Sequence, residues 1–176
     1  IGGARYLLEN FRVARLIEPN ASGSSALYRE MSEEARRRGV AVQQMSAGDT
    51  LAFDPAARVY VLHPHAGVDS SRNLNNTSLV LKVLYGRTSL LLPGDAETDV
   101  EERILRRYGP LLPSSVLKAG HHGSSTSSSE QFLHEVRPAL VLVSVGRNNK
   151  FGHPSPQVLE RYRRMGIQIE RTDLVG

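Results

Sequence analysis

Apolar residues recur along this chain in two alternating periods, and the switches between them mark out its elements. Residues 4–11 have the spacing of an amphipathic helix, and 13–17 is an apolar run of strand length. Ser24 or Ser25 is placed to cap a helix reaching Arg38, with Gly39 at the position where helices stop. Residues 40–44 read as a strand, AGDT as a turn, and 58–62 as the next strand. SLVLKVL and SLLL flank YGRT, which predicts an antiparallel hairpin. Thr98 and Glu101 have the spacing of a capping box for a helix to Tyr108. Residues 116–118 form a short strand, and a serine run leads into a helix over 130–136. The run 139–145 is nearly continuous in apolar residues, as expected of a strand buried on both faces. Ser155-Pro156 opens a helix to Met165, Gly166 follows it, and 167–171 is the last strand.

Helices and strands mixed in this order, with hairpins as well as crossovers, predict one layered α/β domain over residues 1–176. No stretch reaches the roughly 18 apolar residues of a membrane span. Lys+Arg 22 against Asp+Glu 18 leaves a net charge of +4. Nearly all of the basic side chains are arginine, which suits phosphate contacts, but an excess this small also fits an ordinary solvated surface. The chain has no cysteine, so disulfides, thiolate catalysis and thiolate zinc sites are excluded, and any metal must take His and carboxylate ligands.

Three stretches set polar residues just beyond a strand, where layered α/β sheets gather ligands. In SLLLPGDAE, Asp95 follows a Pro-Gly turn and either caps the next helix or bridges cations. In VLKAGHHGSS, His121 and His122 stand between glycines. In extended backbone they would point to opposite faces, one toward metal and the other toward substrate, unless the pair is simply a surface turn. In VGRNNKFGHPSP, His153 precedes a proline-fixed helix start, and Arg147, Asn148, Asn149 and Lys150 form a polar cluster able to hold a phosphodiester. His63 and His65 have a metal-like spacing interrupted by proline and are assigned to a loop, while His134 is assigned a structural place in a helix. One Asp and three His at strand ends, without cysteine, favour a metal-assisted hydrolase.

NNTSLVLKV, LLLPGDAE, VLKAGHHGSS, VGRNNKFGHPSP and the closing IERTD, in this order, resemble the metallo-β-lactamase-like domain of the ComEC family of DNA-uptake competence proteins. The resemblance implies an αββα sandwich with two divalent ions, zinc or manganese, at one edge of its sheets. It implies Asp95 and His121 as metal ligands, His122 and His153 as catalytic groups, and Asn75, Asn76, Ser124, Asn148, Asn149 and Lys150 on the substrate side. The implied substrate is single-stranded DNA, and the implied setting is a soluble domain attached to the membrane-embedded remainder of a longer protein.

Two departures from the family pattern modify this expectation. The family carries H-x-D-x-D-H directly before an Ile-Gly-Gly, and this chain opens on Ile1-Gly2-Gly3. Most metal ligands are then expected outside these residues, with weak or no metal binding, little hydrolysis by this chain, and an open sheet edge prone to self-association. Many enzymes of the fold also carry a His where Asn75 and Asn76 stand, and Asn suits a harder cation than zinc. A hydrolase of small phosphoesters or of carbonyl substrates, and a non-catalytic DNA- or partner-binding module, remain alternatives to a DNA phosphodiesterase.

Overall fold

A computed structural model describes residues 3–20, 26–66 and 73–175. In chain order the elements are α1 (Ala4–Asn10), β1 (Arg15–Pro19), α2 (Ala26–Arg37), β2 (Ala41–Met45), β3 (Thr50–Asp54), β4 (Ala57–His63), β5 (Val80–Tyr85) and β6 (Thr88–Leu92). There follow α3 (Thr98–Tyr108), β7 (Val116–Lys118), α4 (Glu130–Val136), β8 (Leu140–Val143), α5 (Pro156–Arg164), β9 (Gln168–Arg171) and α6 (Thr172–Val175). Strands β3 to β9 form one sheet in sequence order, antiparallel from β3 to β6 and parallel from β6 to β9. Strands β1 and β2 pair in parallel as a separate small sheet.

Side-chain alternation in the strands produces four layers. Leu8 of α1, with Met31 and Ala35 of α2, packs on Leu16 and Val42, the outer side of the small sheet. Ile17 and Met45 on its inner side meet Leu51, Val59, Val61, Leu81 and Val83 of the large sheet. The opposite face of the large sheet presents Leu62, Val80, Leu91, Leu117, Val141 and Val143 to Val100 and Ile104 of α3, Phe132 and Leu133 of α4, and Val158 and Tyr162 of α5. The order is helix, sheet, sheet, helix: an αββα sandwich of the metallo-β-lactamase type. Among the described residues no helix is long and apolar enough to cross a membrane.

Several expectations change. The AGDT turn is followed by strand β3, for which no element was expected, because TLAFD is too short and mixed to announce itself. Strand β8 is buried on one face only: Val141 and Val143 enter the core, while Leu142 is 40 % exposed. The capping box is not formed. Glu97 is the N-cap of α3 and its side chain makes no capping bond, while Thr98 Oγ1 donates to Thr126 O. Glu101 is buried and accepts from the backbone N–H groups of Ser128 and Ser129. The expected cap at Ser24 or Ser25 lies outside the described residues, whereas Ser129 Oγ caps α4 by accepting from Phe132 N. His63 is the buried last residue of β4, not a loop residue. His134 lies in α4, as expected.

Candidate functional site

Consecutive parallel strands deliver the site from one sheet edge, each through the loop beyond its carboxyl end. Strand β6 leads through Pro93-Gly94 to Asp95, β7 through Ala119-Gly120 to His121 and His122, and β8 into the loop ending at His153. Gly94 has φ +62, and a Cβ there would stand 2.8 Å from that of Ser78. Only glycine allows the turn to approach so closely. The turn is then pinned, since Asp95 N donates to Ser78 Oγ at 3.0 Å and His121 N donates to Gly94 O at 3.1 Å.

The double histidine is not extended. His121 (φ 42, ψ 45) and His122 (φ 56, ψ 22) are both left-handed, inside the tight turn Gly120–Gly123. Such backbone costs roughly 1–2 kcal/mol per L-residue and persists where its surroundings hold it. It still aims the two rings at different partners. His122 Nδ1 lies 2.6 Å from Ser144 O. A carbonyl only accepts, so Nδ1 carries the proton and a neutral ring turns its Nε2 lone pair outward. That Nε2 is 3.4 Å from Asp95 Oδ1. Two electron-pair donors so placed require a proton or a cation between them. The separation is also near that of two ligands sharing one zinc at bond lengths of roughly 2.0–2.2 Å.

His121 takes a different set of neighbours. Its Nδ1 is buried 3.3 Å from Glu97 Oε1. The two are close enough for an ion pair but not aligned as a hydrogen bond, so among the described residues Nδ1 has no hydrogen-bond partner. Three asparagines hold Glu97: Asn73 Nδ2 and Asn75 Nδ2 donate to its carboxylate at 2.9 and 3.0 Å, and Asn76 Oδ1 accepts from its backbone N–H. The rings of His121 and His153 meet edge to face at 5.5 Å. Burial lowers the proton affinity of His153, His121 and His122 lower it further whenever they carry a proton, and Asp95 opposes them.

The remaining expected residues divide between frame and surface. Asn149 Nδ2 donates to His153 O at 2.7 Å, and its Oδ1 accepts from His153 N at 3.0 Å, so this side chain braces the loop. Ser124 is buried and bonded to Thr126. The side chains of Asn75, Asn76, Ser124 and Asn149 are therefore bonded to the protein itself, and Asn148 and Lys150 stand exposed. Two loops meet at Gly123, where an added Cβ would lie 2.7 Å from Pro154 Cβ, and Ser155 N donates to Gly123 O across the same contact.

Three neighbours were not singled out from the sequence. Glu97 was visible two residues beyond Asp95. Lys118 donates to Ala119 O and Gly94 O beneath the turn, and burial lowers its proton affinity. Phe151 is 69 % exposed beside His153. Among the described residues no group of three or more His, Asp or Glu side chains that could hold a metal ion gathers.

No family model matches the chain. ComE operon protein 3 of Bacillus subtilis is 36 % identical over all of the chain, which spans 22 % of that protein. Recombination protein 2 of Haemophilus influenzae is 33 % identical over 99 % of the chain and 20 % of its own length. This is a ComEC-like metallo-β-lactamase-fold domain. It spans about a fifth of the length of these curated relatives. Among solved structures, CmlA from Streptomyces venezuelae, a diiron β-hydroxylase, matches 96 % of the domain and 40 % of its own chain, with a TM-score of 0.57 and 15 % identity. That likeness concerns the fold alone.

Proposed function

We propose that the domain is a phosphodiester hydrolase that acts on DNA during competence-related uptake, as part of a longer membrane-associated protein. The observation that carries this reading is the Asp95–His122 pair, two electron-pair donors 3.4 Å apart at the rim of the parallel strands. The names of the full-length relatives, and a sequence match extending over the whole domain, support the competence setting.

In this reading Asp95 and His122 are the domain's own ligands to a divalent cation, zinc or manganese. The family resemblance implies His121 on the metal and His122 toward substrate, and the 3.4 Å separation of Asp95 and His122 supports the reverse assignment. A cation there would supply charge stabilisation to the phosphoryl oxygens. Ser144 O orients His122 through Nδ1, so Nε2 is the atom presented. Glu97 stands behind His121 Nδ1 and leaves Nε2 of that ring for the substrate side. His153, whose proton affinity is lowered chiefly by burial, favours the neutral imidazole, the form that can accept a proton. Exposed Lys150 and Asn148 flank the approach and offer donors to phosphate oxygens.

The test is cleavage of a labelled single-stranded oligonucleotide by the full-length natural protein carrying this domain, with zinc or manganese supplied. Loss of cleavage in Asp95→Asn and in His122→Ala is the expected result, and undiminished cleavage in both removes the reading. Cleavage of small phosphoesters or nitrocefin but not of DNA would favour a different hydrolase. DNA binding without cleavage of any of these would favour a non-catalytic module.

A further inference from the structure

The loop that carries His153 also carries a large apolar surface that the core does not use. Phe151 is 69 % exposed, and its ring stacks on that of His153 at 6.0 Å with 19° between planes. Lys150 Nζ lies 5.3 Å from the centre of the same ring. Beside it opens a cavity of about 460 Å³ whose lining includes His122, Ser144, Asn149, Phe151 and His153.

The loop is pre-shaped. Asn148 (φ 61) and Gly152 (φ 68) bend it at either side of Phe151, and Asn149 ties Gly146 to His153 through its side chain. An exposed aromatic ring is normally tolerated singly and means little. This one has a fixed backbone, a cation at its face, and a ring partner that is itself a candidate catalytic group. Aromatic side chains set beside basic ones are how single strands are held without regard to sequence, because every base offers a π-face.

We propose that Phe151 is a stacking platform for the nucleobase next to the scissile phosphate, and that it makes the site select single-stranded over duplex DNA. In a duplex both faces of that base are already covered by its neighbours, so the ring has nothing to stack on. An unpaired base can swing onto Phe151, and its phosphate then comes within reach of Lys150 and the His153 ring. The proposal rests on the reading of this edge as a phosphodiester site, but binding alone tests it.

The experiment measures fluorescence anisotropy of the chain with a labelled single-stranded oligonucleotide, its abasic counterpart and the matching duplex, in wild type, Phe151→Ala and Phe151→Trp. In wild type the base-carrying strand should bind tighter than the abasic one, by roughly tenfold or more for one stacked base. Phe151→Ala should close that gap, and Phe151→Trp should keep or widen it. An equal loss for both strands in Phe151→Ala, or no loss in either, overturns the proposal. Because no cleavage is read, failure of the hydrolase reading would leave this result interpretable: a base-dependent gap without hydrolysis indicates a binding platform.

Discussion

Asp95 Oδ1 and His122 Nε2 lie 3.4 Å apart, brought together from the ends of two neighbouring parallel strands. The Nδ1 proton of His122 is already committed to Ser144 O, so the contact places a lone pair beside a carboxylate unless something positive lies between them. Asp95→Asn removes the charge without changing the shape. Cleavage by the full-length protein should fall by about a hundredfold or more in this variant and in His122→Ala. Single-turnover cleavage assays provide the comparison.

The same geometry limits what these residues hold unaided. Two donors do not saturate a divalent ion, which ordinarily takes four or more. Equilibrium dialysis of the 176-residue chain against zinc or manganese, followed by elemental analysis, should find fewer than two firmly retained ions per chain. His122→Ala should lower whatever is retained. Two tightly held ions would show that the remaining ligands come from within these residues.

Glu97 is tied by Asn73 and Asn75 and faces His121, so its removal should be felt in the fold before it is felt in chemistry. Glu97→Ala removes the carboxylate that accepts from the part-buried Asn75 amide and from the exposed Asn73 amide, and leaves the His121 ring without its neighbour. Unfolding in urea should show a loss of about 1–3 kcal/mol. Glu97→Gln, which keeps the shape but turns an amide NH2 group toward a donor, should lose part of that. A midpoint unchanged in both variants would mean that the asparagines find other partners.

Glu101 offers a pH-dependent test. Its carboxyl lies in the core and accepts from Ser128 N and Ser129 N, yet burial outweighs those bonds and raises its pKa above the usual value near 4.5. The folded chain therefore binds this proton more tightly than the unfolded chain does. Stability from this group is fully present below the unfolded pKa and declines as pH climbs through the folded one. Glu101→Gln has no such proton to lose. The difference in urea midpoint, wild type minus variant, should shrink as pH rises from about 4.5 toward neutrality. A difference that holds constant or grows would show that the two backbone donors dominate over burial.

Most of the frame could be read from periodicity because most elements, β3 excepted, announce themselves locally. The hairpin at YGRT, Ser129 before α4, and Gly39 and Gly166 behind their helices all carry short-range signals that tertiary packing left intact. The residues that misled were those whose partners lie far along the chain. Glu101 had the spacing of a cap, but its carboxylate serves a loop 27 positions away. Asn75, Asn76 and Asn149, which the resemblance places on the substrate side, also have partners within the protein that the sequence does not announce. Asp95 and the histidines were identifiable by chemical type and by their place after strands. Their pairing was not, because a left-handed turn at His121 and His122 decides which ring faces which neighbour.

Gly123 and Pro154 touch where two loops pass, one carrying His122 and the other His153. The gauge of the cleft is thus set by the absence of a single methyl group. Enlarging residue 123 would act as a shim, parting the imidazoles from the outside while the strands beneath stayed in place.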